Sequence, residues 1–108
     1  MGVKEPAPTT LARYGLTLAA WKSLRDAQGG LCGVCSKDAP RLVIDHEHVK
    51  GWKQMPDDLR VLYVRGLCCP SCNHFVLTRY ADAEKHRQAA RFLDDYAKRR
   101  DEALENRG

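Results

Sequence analysis

The sequence predicts a small α+β domain, with two short strands, flanking helices and a metal-stapled pair of cysteine turns. Three observations predict it. Cys32-x2-Cys35 and Cys69-x2-Cys72 are two thiol pairs at ligand spacing. Between them lie two short β-prone runs, separated by a stretch rich in charge and turn residues. Outside them, apolar residues recur at helical spacing. With 108 residues the chain supports one domain and a modest core, a size at which a staple is commonly needed.

Residues 1–13, with Pro6 and Pro8 and few apolar groups, read as a flexible leader to a single domain over 14–105. Thr17 suits the cap of a helix that carries Leu18, Trp21 and Leu24 on one face. Gly29-Gly30 ends that helix, and Cys32-Gly33-Val34-Cys35 forms a tight turn. Arg41–Ile44 is the first strand and runs into Asp45-His46-Glu47-His48. Residues 49–60, holding Gly51 and Pro56, read as a loop, and Val61–Val64 as the second strand. Pro70 favours the first turn of a helix continuing to about Tyr80. A last helix spans 82–105, with Ala89, Leu93, Tyr96 and Ala97 as its apolar stripe. That stripe is expected to pack on its own domain; a compact homodimer through this helix is the alternative to a monomer. Residues 79–107 hold eight basic and seven acidic side chains, a balance that fits a solvated face better than a phosphate-binding one.

Composition narrows the function classes. No run of 18 apolar residues exists, which argues against a membrane span, and the N-terminus lacks the order of a secretory signal. A cytoplasmic, reducing compartment is expected. The net charge of +4 suits a polyanionic partner. Four thiolates on one zinc ion would add about −2, which weakens that argument.

Two C-x2-C turns complete a tetrahedron of sulfur, the preferred closed shell of structural zinc. The 33 residues between the pairs would then be a loop clamped at its base. Redox or disulfide pairs and sulfur-bound iron are the competing readings; no βαβ context supports a thioredoxin-like site. Cys68 is the odd thiol. It can replace Cys69 only by changing the second spacing, so it reads as a small buried hydrophobe.

In an extended run His46 and His48 share a face, and Asp45 reaches the same site where the strand ends or twists. Both imidazoles can ligate zinc, but the four cysteines already fill a shell. Asn73 directly follows the last cysteine, so its helix is tied to the first knuckle. Asp45 and Asn73 make a hard oxygen pair suited to Mg2+, or Mn2+, that keeps waters and takes phosphate oxygens. His46 then serves as general base for water, and His48 orients the phosphate or assists the leaving group. Arg65, Lys50, Lys53 and Trp52 are candidate DNA contacts, with packing over the zinc ribbon the first reading for Trp52 and stacking at a DNA groove the second; Arg60 flanks them, and Lys37 and Arg79 have less support.

The composite resembles the phage recombination endonuclease VII group within the ββα-metal (His-Me finger, HNH-like) nucleases. The resemblance rests on Cys32-Gly-Val-Cys35, Val-Ile-Asp-His-Glu-His at 43–48, Val64-Arg65-Gly66-Leu67 and Cys69-Pro-Ser-Cys72-Asn73, within roughly residues 14–80. It implies a two-stranded ribbon on a helix, structural zinc on Cys32, Cys35, Cys69 and Cys72, and a catalytic metal on Asp45 and Asn73. It also implies His46 as base, His48 as the second histidine, and a phage-encoded protein in the host cytoplasm. One departure is Val76, where the prototype carries a glutamate near the metal; this weakens a junction-resolving role specifically. The expected function is metal-dependent DNA endonuclease. The alternative is a catalytically inactive zinc-ribbon nucleic-acid-binding or adaptor protein.

Overall fold

The computed structural model describes residues 2–78 and 81–107. Two short antiparallel strands are surrounded by helices in the order α1 (Pro8–Arg13), α2 (Leu18–Ala27), β1 (Val43–His46), α3 (Asp57–Arg60), β2 (Val64–Cys68), α4 (Pro70–Phe75) and α5 (Ala83–Arg107). This is a mixed α+β arrangement with a clustered four-cysteine site, consistent with a ββα and zinc-knuckle fold.

The stretch expected to be a leader is instead part of the folded body. Proline at the first position of α1 fits because its missing N–H is not needed there. Leu11 and Val3 then reach the core, so two apolar side chains in a proline-containing segment are enough to tie it down. Gly15 (φ +71°) turns the chain between α1 and α2; a Cβ there would lie 2.5 Å from the Asp57 carbonyl oxygen.

Helix α2 begins where the Thr17 hydroxyl accepts the Ala20 N–H at 3.0 Å. It places Trp21, fully buried, in the core cluster that includes Leu67, Ile44, Leu42, Leu16 and Leu11. Past its end, Gln28 bridges to the ribbon. Its amide donates to the Leu31 and Leu67 carbonyls (2.9 and 2.8 Å), and its oxygen accepts the Leu67 N–H at 3.0 Å.

The strands differ from expectation. β1 starts and ends two residues later than the 41–44 run and includes His46. Val61–Tyr63 is a 3-10 turn, and the second strand begins only at Val64. The loop 49–60 holds a 3-10 turn at Trp52–Gln54 and the short α3. In the ribbon, Val43 pairs with Cys68, Ile44 with Leu67 and Asp45 with Gly66, but His46 pairs with Val64. Arg65 is therefore the extra residue of a β-bulge. Gly66 beside it has φ +152°, a backbone conformation that favours glycine, and a Cβ there would also displace the Gln28 side-chain oxygen, 2.9 Å away.

Helix α4 is shorter than expected, ending at Phe75; the residues expected to carry it through Arg79 and Tyr80 run beyond the described stretch. The last helix is present over 25 residues, about 37 Å long. Its stripe does not pack on the domain. No α5 residue is buried, and Phe92, Leu93, Tyr96 and Leu104 are exposed. Ion pairs of Glu84 with Arg87 and Arg91 dress its exposed surface. No helix is long and apolar enough to cross a membrane among the described residues.

Candidate functional site

The first cysteine turn follows α2, and the second joins β2 to α4, so ribbon packing brings the two together. The sulfurs of Cys32, Cys35, Cys69 and Cys72 all lie within 4.8 Å of one another. Four sulfurs at about 2.3 Å from a tetrahedral zinc are separated by about 3.8 Å, so the cluster suits one structural zinc ion. Backbone N–H groups of Val34, Cys35 and Cys69 point at the Cys32 sulfur at 3.4, 3.5 and 3.3 Å. Burial alone would raise the Cys32 thiol, but these N–H bonds outweigh it and bring its pKa down to about 6. All five cysteines are free thiols, and Cys35 and Cys69 sulfurs sit 4.0 Å apart, which is a ligand spacing rather than a disulfide. Cys68 stays outside the cluster, buried, with its pKa raised to about 11, first by burial and then by the nearby Asp45 charge.

One residue beyond the second knuckle, Asn73 sits on α4 facing β1. Its amide nitrogen lies 3.5 Å from Asp45 Oδ1, a distance at the limit of a hydrogen bond. Asp45 is 3% exposed and is the one buried charged residue among those described. The bulge turns Arg65 onto it: Nε donates to Oδ2 at 2.6 Å and a terminal nitrogen to Oδ1 at 3.2 Å. Both carboxylate oxygens are thus engaged by one guanidinium, and Arg65 is raised above its ordinary pKa chiefly by that bond. Arg65 in this state faces a carboxylate, not solvent phosphate.

The histidines occupy a neighbouring position at the end of β1. The His46 ring stacks on Trp52 (centroids 4.0 Å, planes 17° apart), meets Tyr14 edge-on at 5.6 Å, and lies 4.7 Å from the His48 ring. Burial, then the charge of His48, hold His46 below its ordinary pKa of 6.5, against the opposing pull of Asp45. Trp52 is buried, with its indole nitrogen donating to the Arg60 carbonyl at 3.3 Å. It packs against His46, mostly buried, and contributes to the wall of the cleft that the two histidines border. Arg60 is occupied likewise: its guanidinium donates to the Arg13 and Met55 carbonyls and to Asp57. Lys50 and Lys53 are exposed and line, with His46, His48, Gly51 and Gln54, a cleft of about 480 Å³. Lys37 is exposed as well, and Arg79 lies outside the described residues.

The structure therefore brings Asp45, Asn73 and Arg65 together, and separately His46, His48 and the two lysines around the cleft. Asp45 and Asn73 are not among the cleft's walls. Three contributors escaped the sequence reading. Tyr14 and Gln28 lie outside every motif, and the bulge that redirects Arg65 depends on a strand register that local propensity does not encode.

A family profile described as recombination endonuclease VII matches residues 8–95. The chain belongs to the recombination endonuclease VII family. The match begins at α1, in agreement with that helix being part of the folded body, and ends within α5. The Gene 59 proteins of Mycobacterium phages D29 and L5 are each 34% identical to it over 70 residues, covering 62% of this chain and 36% of theirs. The chain thus spans about a third of the length of these curated relatives. No solved structure matches it significantly. Family membership, the ββα ribbon and the four-thiol cluster together give this chain a nuclease-type, zinc-binding fold.

Proposed function

We propose that the chain is a zinc-stapled nucleic-acid-binding domain in which the Asp45–Asn73 pair and the neighbouring His46 hydrolyse DNA phosphodiester bonds. The binding part draws on family membership and on the lysine-lined cleft. The hydrolytic part rests on a single observation: the Asp45 carboxylate and the Asn73 amide meet at the strand that also carries His46.

The donor set suits a hard divalent cation, Mg2+ or Mn2+. Asp45 offers carboxylate oxygens, and Asn73 turns its nitrogen toward Asp45, leaving its own oxygen available. When bound, such a cation neutralises charge on the scissile phosphate and the departing oxygen. The remaining roles fall to the chain. His46, kept neutral by burial and held flat against Trp52, accepts a proton from water at its free ring nitrogen. His48, exposed at the cleft, orients the phosphate or gives a proton to the leaving group. Lys50 and Lys53 meet the nucleic-acid backbone.

A second reading, a binding or adaptor module without catalysis, draws on a specific observation. Both Asp45 oxygens are taken by Arg65, and the four cysteines are the one cluster of metal-ligand geometry among the described residues. As it stands, the geometry accounts for binding more directly than for hydrolysis. Supercoiled plasmid, linear duplex and branched DNA, each with Mg2+ or Mn2+, separate the two. The proposal expects cleavage that falls by about 10²- to 10⁴-fold in zinc-loaded His46→Ala, with DNA affinity retained. Retained DNA binding with no cleavage by the unaltered chain supports the adaptor. For the oligomeric state, sedimentation distinguishes a monomer from a compact homodimer through α5.

A further inference from the structure

Arg65 is placed to do more than close a strand. It is the unpaired residue of the bulge, its side chain is 33% exposed, and its side-chain bonds among the described residues all go to Asp45. Asp45 is buried with a side chain only 4% exposed, so a lone carboxylate there would be costly and needs a cation. Arg65 is that cation in the free protein. A divalent ion at this corner would take one or both of the same two oxygens. A divalent cation taking either oxygen must compete with a guanidinium bond, and two cations on one buried carboxylate repel each other, so each weakens the binding of the other. A guanidinium fork fits a phosphate as well as it fits a carboxylate, and Arg65 is exposed enough to swing.

We propose that Arg65 is a latch that makes divalent-cation binding at Asp45 depend on nucleic-acid phosphate. Without nucleic acid the latch holds Asp45 and keeps the affinity for the cation low. A backbone phosphate takes the guanidinium, frees the carboxylate and admits the cation, so the two ligands bind with positive coupling. This rests on the hydrolytic reading of the corner and adds its regulation: the metal centre assembles only on substrate. Arg65 is then a positioning residue, acting on the corner through Asp45.

The test reads metal binding directly. Mn2+ is titrated into the zinc-loaded full chain and free Mn2+ is followed by its paramagnetic resonance signal, with no nucleic acid present. Arg65→Gln is expected to bind Mn2+ about tenfold more tightly than the unaltered chain, a typical coupling magnitude. In a His46→Ala background, so that nothing is cut, a short DNA duplex should raise Mn2+ affinity when Arg65 is present and raise it less in Arg65→Gln. Equal Mn2+ affinity of the unaltered chain and the Arg65→Gln variant without DNA overturns the latch. If Asp45→Asn abolishes that shared binding, the hydrolytic reading survives the latch's failure. If Asp45→Asn leaves Mn2+ binding unchanged, the corner holds no divalent ion and both readings fall. Zinc content and helical circular dichroism report folding. Should Arg65→Gln lose zinc, Arg65→Met, which keeps an apolar stem without the charge, takes its place: tighter Mn2+ binding than the unaltered chain upholds the latch, and equal binding overturns it.

Discussion

His46 illustrates how a single side chain is tuned by its neighbours. Trp52 covers one face of its ring, Tyr14 an edge, and His48 sits close by. Burial and the His48 charge lower its proton affinity, so His46 stays neutral to lower pH than an ordinary imidazole. Two consequences follow in the same direction. The acid limb of cleavage, set by this group, should lie below that of an ordinary histidine. Because the folded-state value is the depressed one, the associated stability is fully present above 6.5 and is lost as pH falls through the folded value. Trp52→Ala exposes the ring, and the acid limb should then move up toward 6.5, followed by the His46 ring resonances. An unshifted limb would remove the tryptophan from this role. Asn73→Ala should cost cleavage while leaving zinc bound, since its backbone, not its amide, continues α4 from Cys69.

At the level of elements, the ribbon's register is held by contacts distant in sequence. Gln28 satisfies one N–H and two carbonyls of the segments it joins. Gln28→Ala strands these partly buried groups and should lower stability by about 1–3 kcal/mol in denaturant titration of the zinc-loaded protein. A change within a few tenths of a kcal/mol would show that water replaces the amide. This dependence also explains what could be read in advance. The Thr17 cap and the cysteine turns were legible because their signals are local: one hydroxyl at a helix start, and fixed thiol spacing. The second strand was misplaced because Val61–Val64 is as apolar and β-branched as a strand, while the actual pairing starts at Val64 under the pull of the second knuckle and Gln28. Arg65 was legible as an important cation but not as the partner of Asp45, since a bulge is a property of two strands together. Helix α5 was legible as a helix, yet its packing was not. The stripe that suggested a home surface is exposed instead. Amide exchange should therefore report α5 opening independently of, and faster than, α2 and the ribbon; α5 amides as slow as those around Trp21 would contradict this.

For the whole molecule, the core is small and centred on Trp21, Leu67, Ile44 and the buried cysteines. Zinc bound at the four thiols would add to that core on the order of 10 kcal/mol of folding free energy, the scale of structural zinc sites. The four-thiol cluster joins the end of α2 to the β2–α4 junction, so it also sets how Asn73 approaches Asp45. Removing zinc with a strong chelator should thus abolish the cooperative unfolding transition and cleavage together. X-ray absorption at the zinc edge tests this central claim most directly. The account predicts one zinc per chain surrounded by four sulfurs at about 2.3 Å. Substoichiometric zinc, or a shell containing imidazole nitrogen, would contradict it.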